Sequence, residues 1–104
     1  MKRKAPNNET KKIIEILRSL KEEIKEKYKA EIIGIFGSYV RGKQKKSSDL
    51  DVLVRFSKGA TLIDFVGLAL FLEKKLGIKE VDIVPEDAVR PELKDRISKE
   101  AIYI

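Results

Sequence analysis

Neither cysteine nor histidine occurs among the 104 residues. The first absence excludes a disulfide framework and thiol chemistry. Together they remove the customary zinc ligands, so any metal must rest on oxygen donors, which points to Mg²⁺, Mn²⁺ or Ca²⁺. No apolar run is long enough to span a bilayer, and the basic start Met1-Lys2-Arg3-Lys4 leads into no apolar stretch of the kind a secretory leader needs. A membrane is therefore not expected as a partner, and the cytoplasm is the default location. Internal repeats and linker-like stretches are also lacking, and the length suits one domain with a modest core.

What is abundant is charge. Lys plus Arg total 23 against 17 for Asp plus Glu, a net +6. A basic balance favours polyanionic ligands such as nucleotides. The lysines are scattered along the chain, with none of the aromatic–basic interleaving of RNA-binding surfaces, which argues against direct nucleic-acid binding.

Residues 1–8 are expected to form a flexible start and 9–104 a single folded domain. Ile13, Leu17, Leu20, Ile24 and Tyr28 make one apolar stripe at helical period, predicting a helix over 9–29 with Glu23 and Lys27 as an i,i+4 pair. Ile32 to Phe36 reads as a buried strand ending in Gly37-Ser38. A short helix is expected over Tyr39–Gly42, then a polar loop over 43–48, and a second strand over Asp49–Phe56. Thr61 with Asp64 resembles a capping box opening a helix that Gly77 stops. A third strand over Glu80–Val84, a helix over Glu92–Lys99 and an extended Ala101–Ile104 complete an α/β domain.

The chemistry concentrates in Gly37-Ser38-Tyr39-Val40-Arg41-Gly42 and Ser48-Asp49-Leu50-Asp51. A strand that ends in Gly-Ser at a helix start offers free backbone N–H groups to a phosphate. Gly37 permits close approach, the Ser38 hydroxyl adds a donor, and Arg41 can clamp a phosphate oxygen. Asp49 and Asp51, two apart on a strand, face the same way. Adjacent carboxylates repel, and a divalent cation removes that repulsion. Asp82 interrupts the apolar run Val81-Asp82-Ile83-Val84, where a buried charge requires a partner or a metal. If its strand neighbours the second strand, Asp49, Asp51 and Asp82 could converge on two Mg²⁺, which in such sites lie ~3.5–4 Å apart.

These segments resemble the minimal nucleotidyltransferase family of the DNA polymerase beta-like superfamily, whose motif is Gly-Ser-x-Ala-Arg-Gly, a short loop, then Ser-Asp-x-Asp before apolar residues. The resemblance covers nearly the whole chain, and Val40 departs from the usual alanine. It implies a mixed sheet flanked by helices, an α/β (α+β) architecture in a single small domain. It further implies Gly37 and Ser38 on the β- and γ-phosphates of ATP with Arg41 in support, Asp49 and Asp51 on Mg²⁺, and Asp82 as the third carboxylate, activating the acceptor. Family members are often antitoxins of HEPN-domain toxins, similar to enzymes that move AMP from ATP onto a toxin tyrosine.

Two other assignments fit less well. Asp-x-Asp also serves haloacid dehalogenase-type phosphatases, but there it follows a hydrophobic strand and here it precedes one. A P-loop is excluded because no Gly-Lys-Ser/Thr follows the glycine turn. A non-catalytic antitoxin acting by contact alone is the competing function. In the helix over 61–76, apolar residues from Leu62 to Leu72 occupy nearly every side. This exceeds what a small core can cover, so that helix is expected to form an interface with a HEPN partner or with a second copy. Coverage by the first and last helices is the alternative.

Overall fold

The computed structural model describes residues 8–37 and 50–104. The expectations for residues 1–7, the short helix over 39–42, the loop over 43–48, and Ser38, Arg41 and Asp49 lie outside the described residues. Asn8, read above as the last residue of a flexible start, is the first of a helix.

That helix, α1 (Asn8–Tyr28), buries Ile13, Ile14, Leu17 and Ile24 and shows Lys and Glu to solvent. Lys27 Nζ meets Glu23 Oε2 at 2.7 Å, the expected i,i+4 pair. Lys29 then takes a left-handed φ of 55°, which breaks the helix and turns the chain into β1 (Ala30–Phe36). The Ser57 N–H donates to the Lys29 carbonyl at 2.7 Å, tying this corner to the far end of β2 (Leu50–Phe56).

After β2 comes α2 (Leu62–Leu76), bounded at both ends by predicted signals. The Thr61 N–H donates to Asp64 Oδ2 at 2.9 Å and the Asp64 N–H to Thr61 Oγ1 at 3.5 Å, a reciprocal cap. Gly77 closes the helix at φ 66°, a conformation that glycine adopts without steric penalty. β3 (Val81–Pro85), a single 3₁₀ turn (Glu86–Ala88), α3 (Pro91–Glu100) and β4 (Ile102–Tyr103) follow.

The four strands form one mixed sheet in the order β3-β2-β1-β4. β1 runs antiparallel to β2 and to β4, and β2 runs parallel to β3. The parallel pair is possible because α2 carries the chain back between the two strands. A register shift between Ile32 and Gly34 inserts Ile33 as an extra residue in β1. Ile32 and Ile35, three apart, therefore sit opposite Val54 and Val52 and share one face, whereas strict alternation would separate them.

That face carries Ile32, Ile35, Leu50, Val52, Val54, Val81 and Ile83, which pack with α1 and with Leu68 and Leu72 of α2 as the core. The other face carries Glu31, Asp51, Leu53 and Arg55. At the margin of the sheet opposite β3, β4 approaches β1 so closely that a Cβ on Gly34 would stand 2.5 Å from the Ile102 carbonyl oxygen. No helix of the described residues is long and apolar enough to cross a membrane.

Neither α1 nor α3 covers the outer side of α2. Leu62 is 76% exposed, Ile63 82%, Val66 48% and Leu70 60%. At ~100° of rotation per residue, Ile63 and Leu70 lie opposite the buried Leu68 and Leu72. The same helix thus provides its own control. Leu72→Ala removes fully buried methyl groups and is expected to cost about 2–5 kcal/mol, whereas Ile63→Ser is expected to stay within about 0.5 kcal/mol. Urea unfolding of the two variants checks both values.

Candidate active site

Three of the six proposed site residues, Gly37, Asp51 and Asp82, are described, and they meet at one end of the sheet. Asp51 is the second residue of β2 and Asp82 the second residue of β3, and the two are direct partners in the parallel register. Side chains of such partners project from the same face. Phe36, the last residue of β1, is the antiparallel partner of Asp51. The row across this end of the sheet is therefore Asp82, Asp51, then Phe36 leading into Gly37.

Gly37 has φ 95° and lies against Asp51; a Cβ there would collide with Asp51 Oδ2. Only a residue without a side chain permits both the left-handed bend and the carboxylate beside it. Gly37 and Asp51, fourteen positions apart in sequence, are thus brought into contact.

Asp51 is half-buried and Asp82 exposed. β3 buries Val81 and Ile83 and turns Asp82 outward, so the cost of burying a charge does not single Asp82 out, contrary to the reasoning from its apolar neighbours. What distinguishes it is its register with Asp51. The pair supplies hard oxygen donors on adjacent strands, which suits a cation such as Mg²⁺. Among the described residues no group of three or more potential metal ligands is gathered. Asp51 and Asp82 are two of the proposed three carboxylates.

The same sheet face continues past Asp51 into an open cleft of ≈ 320 Å³. Ile33 and Leu53 form its floor and Tyr103 of β4 one side. Val89 and Ile97 form an apolar wall, and Arg55, Glu86, Lys94 and Ser98 its polar rim. Arg55 is pinned from two directions. Its Nη2 and Nε lie 2.9 and 3.2 Å from Glu86 Oε2, and its Nη1 lies 3.6 Å from Glu31 Oε1 on the paired strand. Sequence reasoning passed over this cleft. The available signal was Arg55 itself, a charge four residues beyond Asp51 on the same strand and hence on the same face.

Gly37→Ala should lower stability by about 1–3 kcal/mol through the left-handed backbone alone, with an added steric part from Asp51. In the double variant Gly37→Ala, Asp51→Ala the steric part is relieved. The combined loss measured by urea unfolding should then fall short of the sum of the single losses.

Comparison with known proteins bears on the family and the fold. The model of the nucleotidyltransferase domain family matches residues 17–104. A Methanocaldococcus jannaschii protein, provisionally named a protein adenylyltransferase, is 50% identical over 67% of this chain and 74% of its own length. The protein adenylyltransferase MntA of Thermococcus cleftensis is 37% identical over 86% of this chain and 89% of its own. A solved structure provisionally described as a minimal nucleotidyltransferase superposes with a TM-score of 0.69 at 39% identity, over 88% of this chain and 95% of that one. A crystal structure described as a toxin–antitoxin with AMP-PNP superposes with a TM-score of 0.64 at 29% identity, over 93% of this chain and 72% of that one. With the family match spanning most of its length and a relative of this identity covered almost end to end, the chain belongs to the nucleotidyltransferase domain family, among the minimal nucleotidyltransferases.

Proposed function

We propose that this chain moves AMP from ATP onto a hydroxyl of a protein partner, a tyrosine of a HEPN-domain toxin, and so acts as the antitoxin of a toxin–antitoxin pair. The observation that carries this reading is the register of Asp51 with Asp82 beside the Gly37 bend. The names of the relatives support protein adenylylation, and the toxin–antitoxin neighbour with AMP-PNP supports an adenine nucleotide and a toxin partner. The HEPN character of the partner and its tyrosine come from the family resemblance of the sequence.

In this reading Asp49, Asp51 and Asp82 hold Mg²⁺, which when bound neutralises phosphate charge and lowers the pKa of the attacking hydroxyl. Gly37 and Ser38 present backbone N–H groups to the β- and γ-phosphates, and Arg41 supports them. The acceptor oxygen bonds to the α-phosphorus as the bond to the α,β-bridging oxygen breaks in line, and pyrophosphate leaves. Asp82, exposed on the edge strand β3, would take the hydroxyl proton.

Co-expression with the HEPN partner, followed by mass spectrometry, should show one or more adenylyl groups on the partner. Asp51→Asn and Asp82→Asn should each reduce transfer by on the order of 10²–10³-fold. Full neutralisation by both variants without a mass increase on the partner would replace this account with neutralisation by contact.

The exposed stripe of α2 favours a contact component whichever way neutralisation occurs. Leu62, Ile63, Val66 and Leu70 form an apolar strip on one side of a single helix. We propose it as the surface that meets the HEPN partner, the alternative occupant being a second copy of this chain. The double variant Ile63→Asp, Leu70→Asp should fold normally and lose co-purification with the partner. If instead it only converts a dimer of the isolated chain into a monomer, the strip serves self-association.

A further inference from the structure

We propose that the cleft between the sheet and α3 receives the nucleoside of the donor nucleotide, which makes Leu53, Tyr103 and Ser98 determinants of ATP affinity. This rests on the proposed nucleotidyl transfer and adds to it a place for the part of the donor that does not react.

The geometry of displacement supplies the first reason. The Gly37 bend, Asp51 and Asp82 lie in one row across adjacent strands. With the leaving pyrophosphate at the Gly37 end, in-line attack brings the acceptor oxygen from the Asp82 end, where β3 is the edge strand of the sheet. The two ends of the row are then taken. The nucleoside, the remaining carbon-bearing substituent of the α-phosphorus, must leave sideways from the row.

The cleft opens in that direction. It lies on the same sheet face, running along β2 through Leu53 and Arg55. A strand rises ~3.3 Å per residue, so Leu53 stands about 6.6 Å beyond Asp51. A ribose attached to an α-phosphate at Asp51 would span that interval and deliver its base onto Leu53.

The lining supplies the second reason. Leu53 is nearly buried although it faces away from the main core, so the cleft has a dry floor. Ile33, Val89, Ile97 and Tyr103 provide apolar and aromatic surface for a flat base. Around them stand hydrogen-bonding groups of both kinds: Ser98 and Lys94 can donate, and the Glu86 carboxylate retains acceptor capacity for an exocyclic amine while holding Arg55. The volume of ≈ 320 Å³ falls at the lower end of small-molecule sites, ~300–1,000 Å³.

Calorimetry on the full chain with Mg-ATP and with Mg-tripolyphosphate tests this, because the second ligand has the phosphates and lacks the nucleoside. Ser98→Trp, at an exposed position, and Val89→Phe both fill the cleft, and thermal melting verifies that each variant is folded. The expected result is an ATP affinity reduced about tenfold or more, with tripolyphosphate affinity unchanged. Unchanged ATP affinity in the folded variants would overturn the proposal, and with loss of transfer it would assign the cleft to the acceptor. Equal loss of both ligands would overturn it as well. If the wild-type chain takes up neither ligand with magnesium, the nucleotidyl-transfer reading itself fails. That result is separable from the others because it needs no variant.

Discussion

The parallel pairing of β2 with β3 is the constraint on which the site depends. In a parallel pair, equivalent positions of the two strands lie at the same end of the sheet. Each strand carries its aspartate at the second position, so Asp51 and Asp82 become register partners although they are thirty-one positions apart in sequence. β1, antiparallel to β2, arrives at that end with its last residue, which brings Gly37 against the Asp51 carboxylate. A hairpin in place of the α2 crossover would have sent Asp82 to the opposite end. The helix that completes the crossover is therefore part of how the carboxylates meet, although it touches neither.

The two faces of the sheet divide the work. One is sealed by α1 and α2 and contributes stability through Ile32, Ile35, Val52 and Val54. The other keeps Asp51 and Asp82 accessible and is only partly covered by α3. The extra residue in β1 matters to both. It keeps Ile32 and Ile35 in the core and places Ile33 on the floor of the cleft, so a single insertion in the ladder serves packing on one side and a binding surface on the other.

Much of this was legible in the sequence where the signals were local. The α1 stripe and the Thr61–Asp64 and Gly77 caps located their helices to within a residue, because periodicity and capping act through neighbours in the chain. The pairing of Asp51 with Asp82 was legible as a condition, that the strands be adjacent. Asp82 was picked out for a reason that does not apply, since burial depends on which face of β3 is covered and an apolar run cannot reveal that. The bulge at Ile33 left no trace in composition. The cleft was illegible because it arises from where α3 and β4 settle against the sheet, a matter of tertiary packing that no local pattern encodes.

Pro85 ends β3, and β4 has only two residues, so both margins of the sheet are poor templates for adding another strand. Main-chain polymerisation is thereby discouraged from either side. A molecule so protected can display a greasy helix at its surface without drifting toward fibres. A partner of α2 would have to recognise it through side-chain shape, because a helix satisfies its own main-chain hydrogen bonds.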